Sequence, residues 1–176
     1  MKLKIKIKKI GNTYMPKDIK KGDWVDLAAA CEVYFKGPQS DTLKRKTVNG
    51  VTTAHRDVKF FKKLVPLGVA IKLPVGFEAV LVPRSSLHKY GLIQANSIGI
   101  IDNSYNGNRD EWKLPLIALA ETTIPEGARV CQFRIQLSQK ANIWQKLKWL
   151  FTNGIKIEEV QDLENINRGG FGSTGV

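Results

Sequence analysis

The sequence predicts an all-β fold, because apolar and polar residues alternate with period two over several short runs and Pro or Gly punctuates them. The punctuation falls at Pro66, Pro74, Gly76, Pro83, Gly91, Gly107, Pro125 and Gly127. Many short strands with tight turns suit a barrel or sandwich. Helical spacing is read in one segment.

Taken in order, residues 2–8 set Lys2, Lys4, Lys6 and Lys8 against Leu3, Ile5 and Ile7, as in a half-buried strand whose edge is protected by charge. Further strands are expected at 24–27, 68–73, 78–82, 97–101, 114–119, 129–137 and 156–160. Residues 36–63 are polar and basic with a turn at Asn49-Gly50, which reads as a hairpin or long loop inserted in the sheet. Over 141–152, Ile143, Trp144, Leu147, Leu150 and Phe151 recur at helical spacing with Lys146 and Lys148 between them, so a short helix packing on its own domain is expected. One domain over 1–165 is followed by a glycine-rich arm over 166–176.

A chain of 176 residues with 43% hydrophobic content has enough apolar side chains for one core. Lys and Arg outnumber Asp and Glu by 28 to 16, a formal charge of +12, which favours anionic partners. Cys31 and Cys131 lie far apart and His55 and His88 lack metal-ligand spacing, so neither a disulfide framework nor a zinc site is indicated, and inert or buried thiols are expected. No stretch approaches the roughly 20 apolar residues of a membrane span, so a soluble, cytoplasmic protein is expected.

Five short stretches carry chemistry. Residues 24–30, WVDLAAA, place one carboxylate, Asp26, among small and apolar residues. Residues 83–91, PRSSLHKYG, follow an Arg with two hydroxyls in a turn where donors can converge on phosphate oxygens. Residues 96–107, NSIGIIDNSYNG, form a hairpin-like unit with Asp102 and Tyr105 three apart, and residues 127–133, GARVCQF, contain Gln132. The tail RGGFGSTG, residues 168–175, joins Arg168, Phe171, Ser173 and Thr174 to glycines that let backbone approach a ligand closely. Singly, each has an ordinary structural explanation, such as a turn cap or a core aromatic.

In this order the five stretches resemble the motifs of the trimeric dUTP diphosphatases, the dUTPases, from about Asp26 to the C-terminus. PRSSL, GIID followed by Tyr, and GGFGSTG carry the resemblance most strongly, and NSYNGNRDEWKLP looks like bacterial and bacteriophage forms. The resemblance implies a distorted jelly-roll, or β-clip, barrel with one short helical insertion, forming a homotrimer whose three active sites are each assembled from different subunits. It implies hydrolysis of dUTP to dUMP and pyrophosphate, with Asp102 activating the water that attacks the α-phosphorus. Ser85 would contact the bridging oxygen and phosphates, with Arg84, Ser86 and Gln132 beside it. Uracil would be read around Asn96, Gly99, Ile100, Ile101 and Asp102, the sugar by Tyr105, and Lys113 would contact substrate. Asp26 would hold Mg2+ through water. Arg168, Phe171, Gly172, Ser173 and Thr174 would close over base and phosphates.

Three departures stand out. Arg168 directly precedes Gly169-Gly170 where relatives place a longer spacer, Ser104 replaces a frequent second Asp, and Asn106 replaces a frequent Arg. Two rival readings remain: a dCTP deaminase, which shares the Arg-Ser-Ser turn but uses a Glu where this chain has Asp102, and a non-catalytic nucleic-acid or regulator-binding module using the basic inserts at 36–63 and 141–152.

Overall fold

The computed structural model describes residues 1–17 and 22–170. Its strands are β1 (Leu3–Lys9), β2 (Val25–Ala28), β3 (Val33–Phe35), β4 (Gln39–Ser40), β5 (Lys44–Val48), β6 (Val51–His55), β7 (Val58–Lys59) and β8 (Lys62–Pro66). They continue with β9 (Val69–Lys72), β10 (Phe77–Pro83), β11 (Leu92–Gln94), β12 (Gly99–Ile101), β13 (Lys113–Ala118), β14 (Thr122–Ile124), β15 (Arg129–Leu137) and β16 (Ile155–Glu159). One α-helix, α1 (Ile143–Leu150), lies between β15 and β16. All eight strands expected from alternation form, within a residue or two of the expected ends.

The strands assemble into sheets in the orders β16-β1-β9, β12-β10-β15-β2 and β11-β13-β8, with three two-stranded pairs. The all-β, jelly-roll-like expectation holds, but the sheets do not close into a barrel. β2 and β12 end the four-stranded sheet without a further paired strand among the described residues.

Alternation decides which side chains enter the core. In β1, Leu3, Ile5 and Ile7 are fully buried, while the intervening lysines face outward. β1 is not an edge strand, however. It is flanked by antiparallel β9 and parallel β16, and each residue paired on β16 comes from 152 positions away, beyond any local pattern. β13 and β15 bury alternate residues in the same way, and Trp112 meets Phe133 edge-on at 5.1 Å between ring centroids.

The basic insert contains the expected hairpin: β5 and β6 pair across Asn49 and Gly50, whose φ values of 49° and 76° give the two left-handed positions such a turn requires. Every residue of both strands is exposed. Helix α1 starts at Asn142, whose side chain accepts from the Gln145 N–H while the Gln145 side chain accepts from the Asn142 N–H. Its apolar stripe does not pack on the domain as expected. Trp149 lays its ring against Phe77, but Ile143, Trp144, Leu150 and Phe151 are 62%, 75%, 74% and 70% exposed. A helix this short, lying outside the sheets, presents only one side to them. Cys131 is buried, and burial pushes its thiol well above the ordinary value; Cys31 is exposed, and both are free thiols.

The β1 pattern makes a direct prediction. Ile5→Ala should cost about 2–5 kcal/mol of stability, through lost burial and the cavity left behind, and Lys4→Ala within about 0.5 kcal/mol, measured by urea denaturation at fixed protein concentration.

Candidate active site

Strand β10 organises the site. It pairs with β12 on one side, Ala79 opposite Ile101 and Leu81 opposite Gly99, and with β15 on the other, Val82 opposite Gln132. Asp102 therefore emerges near the start of β10, whereas Arg84, Ser85 and Ser86 follow its end. At about 3.3 Å per residue, Ser85 and Asp102 of one chain are separated by roughly 20 Å along the strand direction.

The first group gathers at the β10 terminus. Asp26, on β2, lies opposite Gln132 of β15. One of its carboxylate oxygens pairs with Arg84 Nε at 2.9 Å and the other accepts from Arg129 Nη1 at 2.9 Å. Arg84 is fixed further by its N–H, which donates to the Val130 carbonyl. Ser85 and Ser86 lead into a 3-10 turn at Leu87–Tyr90, which ends where Gly91 takes a left-handed φ of 63°. Ser85 is exposed. Among the described residues, no group of three His, Cys, Asp or Glu side chains gathers to hold a metal.

The second group lines a cavity of about 270 Å³, open on one side. Asn96, Gly99, Ile100, Ile101, Asp102, Tyr105, Lys113 and Arg168 all contribute to its wall. Asp26, Arg84, Ser85, Ser86 and Gln132 do not. At the cavity floor, Gly99 packs so closely on Leu81 that a Cβ there would lie 3.3 Å from the Leu81 Cβ. Asn96 is tethered through its side-chain oxygen, which accepts from Gln94 Nε2 at 2.9 Å.

Asp102 is exposed and well supplied with donors. Its Oδ1 accepts from the Ser104 hydroxyl at 2.6 Å and the Ser104 N–H at 2.7 Å, and Arg168 stands 3.7 Å away. The Ser104 hydroxyl, then its N–H, hold the Asp102 carboxyl below the usual carboxylate value, helped by the charges of Arg168 and Lys140. It is thus an ionised acceptor at neutral pH. Tyr105 is oriented at its far end, the phenol donating to the Glu111 carbonyl at 2.8 Å. Burial raises the phenol above its ordinary value, so it stays protonated. Lys113 sits 3.8 Å from Glu111.

Sequence reasoning missed several groups that support the two halves of the site. The Asn103 amide donates to the carbonyls of Leu73, Pro74 and Phe77, pinning the turn that presents Asp102. Arg129 shares Asp26 with Arg84. Buried Asp110 accepts from the backbone at Gly107, Arg168 and Gly169. These contacts span up to 103 positions, and no local spacing announces them. Phe171, Gly172, Ser173 and Thr174 lie outside the described residues.

The family model for dUTPase matches residues 52–175. The chain belongs to the dUTPase family. It is 40% identical over 176 residues to the SPbeta prophage-derived deoxyuridine 5'-triphosphate nucleotidohydrolase YosS of Bacillus subtilis (strain 168), covering 99% of both chains. Among solved structures, a mutant Staphylococcus bacteriophage 80alpha dUTPase with dUpNHpp shares the fold at a TM-score of 0.56 and 17% identity, covering 98% of each chain. A mutant dUTPase from phage phi11 of S. aureus, described with a coordinated structural Mg(II) ion, matches with a TM-score of 0.57 at 16% identity, over 79% of this chain and 94% of that one. No helix among the described residues is long and apolar enough to cross a membrane.

The Ser104 hydroxyl bonded to Asp102 has a measurable consequence. Ser104→Ala removes a hydroxyl donor to the carboxylate, so the Asp102 titration followed by carboxyl-13C NMR should move upward in pH; an unmoved midpoint would break the link between Ser104 and Asp102.

Proposed function

We propose that this chain hydrolyses dUTP to dUMP and pyrophosphate by direct attack of water on the α-phosphorus. The observation that carries this reading is the convergence of ionised Asp102, oriented Tyr105 and the β12 backbone on one cavity, in a member of the dUTPase family. Asp102 accepts a proton as water becomes the nucleophile, the role of a carboxylate kept ionised by its donors. Backbone groups at Gly99 and Ile101, with Asn96 and Ile100 beside them, read the uracil edge. Tyr105, held by Glu111, packs on the deoxyribose and rejects a ribose 2'-hydroxyl. Lys113 contributes a cation at the rim.

Ser85, Arg84, Ser86 and Gln132 act on the phosphates, where charge builds on the leaving pyrophosphate. Their separation from Asp102 of the same chain supports a homotrimer in which neighbouring subunits complete each other's sites. Arg168, Phe171, Gly172, Ser173 and Thr174 close over the bound nucleotide. Asp26 holds Mg2+ through water: each of its oxygens accepts one arginine N–H and retains a further lone pair, and with so few protein ligands the ion rests chiefly on phosphate and water. When bound, Mg2+ neutralises phosphate charge and fixes the reactive geometry. The enzyme acts in the cytoplasm, keeping uracil out of DNA and supplying dUMP for thymidylate synthesis.

A pyrophosphate-release assay should show turnover of dUTP and little of dTTP, dCTP or UTP; ammonia release from dCTP would instead favour deamination. Asp102→Asn should retain nucleotide binding while losing about 10²–10⁴-fold in kcat, and unchanged kcat would remove Asp102 from its role.

Shared sites are tested by mixing two inactive variants. Ser85→Ala and Asp102→Asn chains, co-refolded in equal amounts, should regain up to about a quarter of wild-type activity, because that fraction of sites draws each intact residue from a different subunit. Absence of recovery in mixed trimers would place both residues in one chain's site.

A further inference from the structure

Residues 36–63 carry eight of the 28 Lys and Arg side chains but only two of the 16 Asp and Glu, so half of the +12 formal charge sits in about a sixth of the chain. That segment runs as a two-stranded ribbon. β4 pairs with β7, Gln39 opposite Lys59, and β5 pairs with β6, Lys44 opposite His55 and Val48 opposite Val51. Among the described residues neither pair joins a larger sheet. Every residue from Gln39 to Phe60 is exposed. A two-stranded hairpin with no buried face is at best marginally stable in water, so the ribbon contributes nothing to the core. At its root, Lys36 and Lys59 stand 5.5 Å and 5.6 Å from the centre of the Phe61 ring.

The strand register sorts the charges onto two faces. Lys44 and Lys46 share one face with His55 and Thr53, and there Lys44 donates to Asp57 at 3.0 Å. The other face carries Arg45 opposite Ala54 and Thr47 opposite Thr52, whose hydroxyls bond to each other at 2.9 Å. Arg56, two positions after Ala54, falls on the same side. Arg45 and Arg56 accordingly line one shallow, open depression with Ser40, Asp41, Thr42 and Leu43. Two guanidinium groups thus flank small side chains that let a partner approach the backbone closely.

Ribbon shape and charge together select the partner. Strands about 5 Å apart, each spanning about 17 Å over five residues, make a ribbon that the major groove of B-form DNA, about 12 Å wide, admits. The nucleotide cavity does not use these cations, because no ribbon residue lines it. An acidic protein would be expected to meet an aromatic or broadly apolar centre, whereas the arginine side offers Leu43, Ala54 and two threonines.

We propose that the Arg45–Arg56 face of the β5–β6 ribbon is a binding surface for duplex DNA, seated in the major groove with both arginines on backbone phosphates. Arginine pairs with phosphate through two parallel N–H donors, which fixes the ribbon in the groove. Thr47, Thr52 and Ala54 specify no base, so binding is independent of sequence. The surface holds whether or not the chain turns over dUTP.

The test measures fluorescence anisotropy of a labelled, mixed-sequence DNA duplex with the full chain over a range of salt concentrations. A chain with this net charge attracts any polyanion, so the ribbon is compared with a second exposed basic pair, Lys4 and Lys156, which face each other across β1 and β16. The double variant Arg45→Ala/Arg56→Ala should bind the duplex about tenfold or more weakly, and the slope of log affinity against log salt should become shallower by about 2. Lys4→Ala/Lys156→Ala should stay within about threefold of wild type, since its cations make no specific contact. Equal weakening by the two variants overturns the proposal, as does a wild-type chain that leaves the duplex free at low salt. Competition by single-stranded DNA or polyglutamate as effective as that by unlabelled duplex also overturns it, since the groove would then play no part. Should the double variant not fold, Arg45→Gln alone must lower the slope by about 1, and an unchanged slope is equally decisive against the surface.

Discussion

The placement of β10 between β12 and β15 is the constraint from which the site follows. Ladder hydrogen bonds fix which residues face each other, and a slip of one position would turn every side chain to the opposite face. With Leu81 opposite Gly99 and Val82 opposite Gln132, the phosphate-type turn at Arg84 to Ser86 and the carboxylate at Asp102 are sent to opposite ends of one strand. The same register that builds each half of the site keeps the halves of one chain apart. The sharing of sites between subunits proposed above follows from that separation.

Charge is arranged differently in the two halves. Around Asp26, two arginines share one carboxylate, which leaves a net positive patch suited to phosphate. Around Asp102, hydroxyl and amide donors do most of the work of keeping the carboxylate ionised, and Arg168 adds a longer, exposed pairing that contributes little energy by itself. The base proposed at this position must stay accessible to water, so donors from its own turn serve better than a tight ion pair. Ser104 thereby has a physical role: it gives hydrogen bonds to Asp102 where a carboxylate would give repulsion.

The arm shows why glycines cluster in this chain. Gly107, Gly169 and Gly170 each stand where a Cβ would meet neighbouring backbone, demand strain, or press on the Tyr105 ring. Buried Asp110 links these positions through backbone donors. The large exposed surfaces, the β5–β6 hairpin and the outer side of α1, take no part in this network.

Much of the architecture was legible in the order of residues. Period-two burial identified β1, β13 and β15, Asn49-Gly50 identified a turn, and helical spacing identified α1, because each depends on neighbours a few positions apart. The five stretches likewise announced the cavity residues from Asn96 to Tyr105. The interior position of β1, the outward apolar side of α1, the open sheets, the Arg84–Asp26–Arg129 cluster and the backbone bonds from Arg168 and Gly169 to Asp110 were decided only by tertiary structure. Each pairs groups tens to more than a hundred positions apart, where no local periodicity records the partner and only the closing of loops brings donor to acceptor.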